Sequence, residues 1–155
     1  EAREICNLSE TEIEEMRRIT LLINELITEE VSKMGLFNED GKVEFGFDEE
    51  RNLVLVDALG TPDECRFTRD GLPVSKEIAR IYYRKTSWHE DVESAKSRDR
   101  VNWKTAVRSS PPPLPKELAE TVSLIYKAYT NELTGTRWFE APALREVLSA
   151  VRDMI

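Results

Sequence analysis

The feature that most limits what this chain can become is a change of period close to residue 42. Ile13, Met16, Ile19, Ile23, Leu26, Ile27, Val31 and Met34 recur at three- and four-residue steps, which places them along one face of a helix. Ser9, with Glu12 three positions later, forms a capping box at its start, and Gly35 suits the left-handed conformation that closes such a helix. The expected helix spans 9–34, followed by a break from Asn38 to Gly41. From Lys42 the step falls to two: Lys42, Glu44 and Gly46 share one face, and Val43, Phe45 and Phe47 the other. Asp48 to Asn52 is a polar interruption, after which Leu53-Val54-Leu55-Val56 resumes β-rich sequence, so an antiparallel hairpin over 42–59 is expected. A chain that must accommodate both periods is α+β, with an antiparallel hairpin or sheet packed against several α-helices.

The remainder, 75–155, is expected to be mainly helical. Thr61-Pro62-Asp63 and Asp70-Gly71 are turns flanking a short segment through Arg66 and Phe67. Ser75 can cap a helix that buries Ile78, Ala79, Ile81 and Tyr82 and runs on toward Trp88, with a further short helix between Arg98 and Arg108. Pro111-Pro112-Pro113-Leu114-Pro115 enforces an extended connector. A helix from Lys116 to Leu133 stops at Gly135, and Pro142 suits the first turn of a last helix burying Leu144, Val147, Leu148 and Val151.

With 155 residues, 34% charged and 40% hydrophobic, the chain has the make-up of one ordinary water-soluble domain. Its longest apolar runs fall far short of the roughly 20 residues that cross a bilayer. A net charge of −8, with the Lys and Arg residues dispersed among acids, disfavours nucleic acid as a partner. The start, Glu-Ala-Arg-Glu, lacks the pattern of a secretory signal, so a cytoplasmic protein is expected. Cys6 and Cys65 have no ligand spacing and are expected to be reduced thiols.

Pairing Asp48 with Leu53 across the hairpin turn would set Glu44 opposite Asp57. Two like charges on directly paired strand residues destabilise a sheet. The residues alone leave two outcomes open. Either a divalent ion such as Mg²⁺ is held by both carboxylates, with Lys42 beside it for a phosphate or carboxylate, or the face is simply solvated. His89, near Trp88, Glu90 and Asp91, is expected to be a plain helix residue, since no Ser or Cys is placed for it to activate.

The order of short motifs narrows this choice. Gly41-Lys42-Val43-Glu44-Phe45-Gly46-Phe47-Asp48, Leu53-Val54-Leu55-Val56-Asp57 and Thr61-Pro62-Asp63-Glu64-Cys65-Arg66-Phe67 together resemble the SAICAR synthetases, in which a K-x-E-F-G strand pairs with a strand ending in Asp, followed by an S/T-P-D-x-x-R turn. Ser75-Lys76-Glu77 with Arg80 is similar to that family's D-K-Q…R helix start. The proline-rich linker, Tyr126, Tyr129 and Leu133-Thr134-Gly135 are similar to its closing region.

The resemblance implies the C-terminal, catalytic and substrate-binding portion of an ATP-grasp-like ligase. That enzyme joins L-aspartate to carboxyaminoimidazole ribotide (CAIR) with ATP and Mg²⁺, through an acyl phosphate. It implies catalytic roles for Lys42, Glu44 and Asp57, with the metal on Glu44 and Asp57, and nucleotide contacts from Asp40 and Lys42. Asp63, Arg66, Lys76 and Arg80 would bind substrate. Ala58, Thr68, Ser75 and Glu77 depart from the family pattern, which bears mainly on the aspartate site. The family's N-terminal nucleotide-binding lobe, with its G-K-x-K strand, is expected to be absent, leaving the fragment inactive alone. The apolar face where that lobe packs would permit self-association into a homo-oligomer. The rival expectation is a noncatalytic assembly or regulatory module in which the hairpin survives as structure only.

Overall fold

The computed structural model describes residues 2–152 and 154; positions 1, 153 and 155, at the ends of the expected 1–155 span, lie outside them. The chain forms two compact units, the first ending at Asp70 and the second beginning at Gly71.

In the first unit a short helix α1 (Ala2–Ile5) precedes the long α2 (Glu10–Ser32). The expected capping box is formed: the Glu12 amide donates to Ser9 Oγ at 3.2 Å, and the Ser9 amide donates to the Glu12 carboxylate at 2.6 Å. The Ser9 amide foremost, and next the Arg51 guanidinium, pull the Glu12 carboxyl down to about 2. Gly35 turns the chain out of the helix at φ 70°. The expected apolar stripe is only partly covered. Ile23 and Val31 are buried with Leu36, Cys65 and Phe67, whereas Leu26 is 53% exposed. Length explains this: a helix of 23 residues is about 35 Å long at about 1.5 Å per residue, and strands of four or five residues span about half of it.

The expected break at Asn38–Gly41 is instead strand β1 (Phe37–Gly41), antiparallel to β4 (Cys65–Arg69), which the sequence shows only as a short segment. The pairs are Phe37 with Thr68, Asn38 with Phe67, Asp40 with Arg66 and Gly41 with Cys65, and Glu39 forms an irregularity between Asn38 and Asp40. Asn-Glu-Asp-Gly carries no alternating apolar signal; its partner strand supplies what its composition does not. A Cβ on Gly41 would lie 2.8 Å from Cys65 Sγ, so the two strands meet there because residue 41 has no side chain.

The hairpin consists of β2 (Glu44–Phe47) and β3 (Leu53–Val56). Its register differs by one from the expected pairing: Phe47 faces Leu53, and Glu44 faces Val56, not Asp57. The cause is that Asp48 pairs with Asn52 and not with Leu53: its amide donates to the Asn52 carbonyl at 3.1 Å. Its carboxylate accepts the Asn52 amide at 2.6 Å and Asn52 Nδ2 at 2.9 Å, and Arg51 takes a left-handed φ of 63°. Arg51 reaches back to α2, donating to Glu12 Oε1 at 2.8 Å and to the Asn7 carbonyl at 2.8 Å.

The second unit comprises a two-residue strand β5 (Leu72–Pro73) and helices α3 (Glu77–Arg84), α4 (Ser87–Arg98), α5 (Trp103–Ala106), α6 (Lys116–Thr134) and α7 (Leu144–Arg152). Ser75 is buried and its Oγ accepts the Glu77 amide at 3.2 Å, so it serves the start of α3 from one residue farther out than expected. The expected run to Trp88 is divided, because Thr86 adopts an extended conformation and its Oγ1 accepts the His89 amide as the cap of α4. Of the expected buried residues of α3, Ile78 is fully enclosed and Ala79, Ile81 and Tyr82 are half-buried. The proline stretch has no regular element, and the Tyr83 hydroxyl donates to the Pro112 carbonyl at 3.2 Å.

Gly135 ends α6 at φ 63°. All four residues expected to be buried by the last helix are buried in α7. Pro142 lies ahead of that helix and not in its first turn; Glu132 Oε1 accepts the Leu144 amide at 2.7 Å and supplies the N-terminal partner. Among the described residues no helix is long and apolar enough to cross a membrane.

Candidate active site

Lys42 is the centre of the first unit's polar face. It follows β1 directly, and its amide donates to the Glu64 carbonyl at 2.9 Å, continuing the β1–β4 pairing by one step. Its ammonium meets three carboxylates: Glu44 in a short hydrogen bond, Glu64 Oε2 at 2.9 Å and Asp57 Oδ2 at 3.7 Å. Hydrogen bonds that the ammonium donates to Glu44 and then to Glu64 raise the Lys42 pKa, so the ammonium stays charged. The repulsion expected between Glu44 and Asp57 is therefore relieved by a cation belonging to the chain itself. Asp57 approaches from just beyond β3, where a left-handed φ of 74° swings it off the strand line. That conformation is uncommon for a residue with a Cβ, and the Asp57 carboxylate offsets it by accepting the Ala58 amide at 2.8 Å.

Beside this cluster Arg66 and Asp40, paired across β1 and β4, form a bidentate ion pair, with Nε to Oδ1 at 2.7 Å and a second, shorter contact from Nη2. The Arg66 hydrogen bonds hold the Asp40 carboxyl below the usual carboxylate range. Asp63 is exposed on the turn opened by Thr61, whose carbonyl accepts the amides of Glu64 at 3.1 Å and Cys65 at 2.9 Å. The structure thus brings together Lys42, Glu44 and Asp57 in one cluster of contacts and Asp40 and Arg66 in a separate ion pair on the adjoining β1–β4 ladder, all within the first unit. Glu64, which the sequence argument did not single out, belongs to the Lys42 cluster. Its signal was available only through β1: once Gly41 pairs with Cys65, Lys42 must meet Glu64.

Lys76 and Arg80 belong to the second unit. Lys76 is exposed and immediately precedes α3, its carbonyl accepting the Arg80 amide at 3.3 Å. Arg80 is paired with Glu77 Oε2 at 3.1 Å, and Arg84 with Glu77 Oε1 at 2.6 Å. Burial acts to raise the Glu77 carboxyl, but the two arginines outweigh it and the net shift is downward. His89 is half-buried within α4.

Among the described residues no group of three His, Cys, Asp or Glu side chains is arranged as a preformed metal cage. Glu44 and Asp57 nonetheless suit Mg²⁺, which takes hard oxygen ligands, commonly one or two carboxylates, and fills the rest with water and substrate phosphates. Both carboxylates already turn to one cation, and their side chains are 49% and 45% exposed, which leaves room for an incoming ion.

These features define an α+β chain with an acidic, cation-centred hairpin. Comparison with known proteins makes the class specific. The SAICAR synthetase family profile matches residues 1–95. A protein of Archaeoglobus fulgidus, described provisionally as a phosphoribosylaminoimidazole-succinocarboxamide synthase, is 51% identical over all 155 residues, which cover 46% of its own length. The phosphoribosylaminoimidazole-succinocarboxamide synthase of Thermoplasma acidophilum is 37% identical over 145 residues, 89% of this chain and 47% of its own. The crystal structure of SAICAR synthetase from Pyrococcus horikoshii OT3 superposes with a TM-score of 0.56 at 22% identity, covering 90% of this chain and 44% of that one. The chain belongs to the SAICAR synthetase family, and it spans about half the length of the curated relatives it matches.

Proposed function

We propose that these residues form part of the active site of an ATP-dependent ligase that joins L-aspartate to CAIR, giving SAICAR, ADP and phosphate. The observation that carries this reading is the convergence of Glu44 and Asp57 on the Lys42 ammonium, in a chain of this family. The CAIR carboxylate oxygen attacks the γ-phosphorus of ATP, the bond to the bridging oxygen breaks, and ADP departs. The aspartate amine nitrogen then adds to the acyl carbon and loses a proton, and phosphate leaves with the electrons of the carbon–oxygen bond.

Charge develops on phosphoryl oxygens throughout, so stabilisation falls mainly to cations. Glu44 and Asp57 would hold Mg²⁺, which when bound neutralises phosphate charge. Lys42 turns toward phosphoryl or CAIR oxygens, and Asp40 supports the same face. Arg66, whose planar fork suits a phosphate, exchanges one partner for another when it leaves Asp40 for the ribotide phosphate. Asp63 orients polar groups of the CAIR ring, and Lys76 and Arg80 receive the carboxylates of aspartate. The nucleotide groups that complete the site come from polypeptide outside these 155 residues.

The self-neutralised Lys42 cluster is also what a noncatalytic module would display, and one experiment separates the two. In the full-length protein, Glu44→Gln and Asp57→Asn are each expected to lower ATP-dependent SAICAR formation by orders of magnitude with the melting temperature unchanged. Turnover near that of the unsubstituted protein in both variants would leave the hairpin a structural element.

A further inference from the structure

We propose that Glu64 is a positioning residue that tethers Lys42, so that Glu44 and Asp57 can exchange the Lys42 ammonium for a divalent cation. This rests on the assignment of those two carboxylates to the cation. Glu64 holds Lys42 at both ends: its carbonyl accepts the Lys42 amide at 2.9 Å, and its Oε2 lies 2.9 Å from the Lys42 Nζ. The three carboxylates around that ammonium differ in how firmly they are placed. Glu44 and Asp57 are about half exposed, at 49% and 45%, whereas the Glu64 side chain is 17% exposed.

The backbone of Glu64 is fixed as well. Its amide donates to the Thr61 carbonyl at 3.1 Å and contacts Thr61 Oγ1 at 3.4 Å, in a turn whose Pro62 is buried. A cation arriving at Glu44 and Asp57 must displace the ammonium from both. Lys42 is a flexible stem with a strongly hydrated charge, and releasing it without a remaining partner forfeits its interactions with carboxylates. With Glu64 in place, Lys42 keeps one anchored carboxylate and stays within reach of the phosphates that accompany the cation. Glu64 then acts through Lys42 and not as a ligand.

A double-mutant cycle on the full-length protein, read by calorimetric titration of Mg²⁺ alone, tests this. Glu64→Gln retains size and an acceptor oxygen but removes the charge. It is expected to weaken Mg²⁺ binding about tenfold in the unsubstituted background, and less than twofold when Lys42→Met is already present. Thermal melting of each variant confirms that it is folded. An equal loss in both backgrounds would overturn the tether, because Glu64 would then act by its own charge or as a ligand. Unaltered affinity in Glu64→Gln would overturn it too. Failure of the unsubstituted protein to bind Mg²⁺ would remove the assignment of Glu44 and Asp57, and the tether with it, and is distinct from both other results.

Discussion

Helices α2 and α7 carry the same sequence signal and meet different fates. Each repeats apolar residues at three- and four-residue steps, yet Leu144, Val147, Leu148 and Val151 of α7 are all buried, whereas of the α2 stripe only Ile23 and Val31 are buried and Leu26 is exposed. The difference lies in what each helix is packed against. α7 is nine residues long and lies against the nineteen-residue α6, so its whole apolar face is covered. α2 outruns the short strands beside it. Periodicity thus identifies which residues share a face, and the length of the neighbouring element decides how much of that face is sealed.

The contrast can be broken by measurement. Leu148→Ala removes a fully packed side chain and is expected to cost about 2–5 kcal/mol, measured by denaturant unfolding. Gly41→Ala, which forces a methyl against Cys65, is expected to cost about 1–3 kcal/mol by the same method. Ser9→Ala removes a formed cap from α2, with an expected loss of about 1 kcal/mol. Leu26→Ala, on the uncovered face, should fall within about 0.5 kcal/mol. A loss at Leu26 comparable with that at Leu148 would mean that the α2 face is covered in solution and would end the comparison.

Glu12 sharpens it with pH. Its carboxyl is held at about 2 in the folded chain against an ordinary value of 4.5. A depressed carboxyl contributes stability that is present above the ordinary value and is lost as pH falls through the folded one. Melting temperatures of the unsubstituted chain and Glu12→Gln should therefore differ most above pH 4.5 and converge toward about pH 2. A gap that widens on acidification would contradict the capping geometry.

Much of this was legible in the residues. Ser9 with Glu12, Gly35 and Gly135 marked helix ends because capping is local chemistry, complete within a few positions. The buried face of α7 was equally plain. The strand β1 was not, since Phe37–Gly41 owes its conformation to Cys65–Arg69, more than twenty residues away. The hairpin register was missed by one because Asp48 pairs with Asn52 and not with Leu53, through backbone and carboxylate hydrogen bonds that alternation does not encode. At the candidate site, family resemblance pointed to Lys42, Glu44, Asp57, Asp40 and Arg66. That Lys42 is shared among three carboxylates, and that Arg66 pairs with Asp40, depended on registers the sequence did not disclose.

The close approach of Gly41 to Cys65 gives the protein a built-in clock. Cys65 is buried against the strand that crosses it, and burial raises its thiol pKa, while Cys6 is exposed. A thiol-directed dye should label Cys6 at once and reach Cys65 only when β1 and β4 part, because the thiolate is the reactive form and the strand blocks it. The slow labelling phase would then report the opening rate of the strand pair that carries Asp40, Lys42 and Arg66, with Cys6 as the reference for reagent strength.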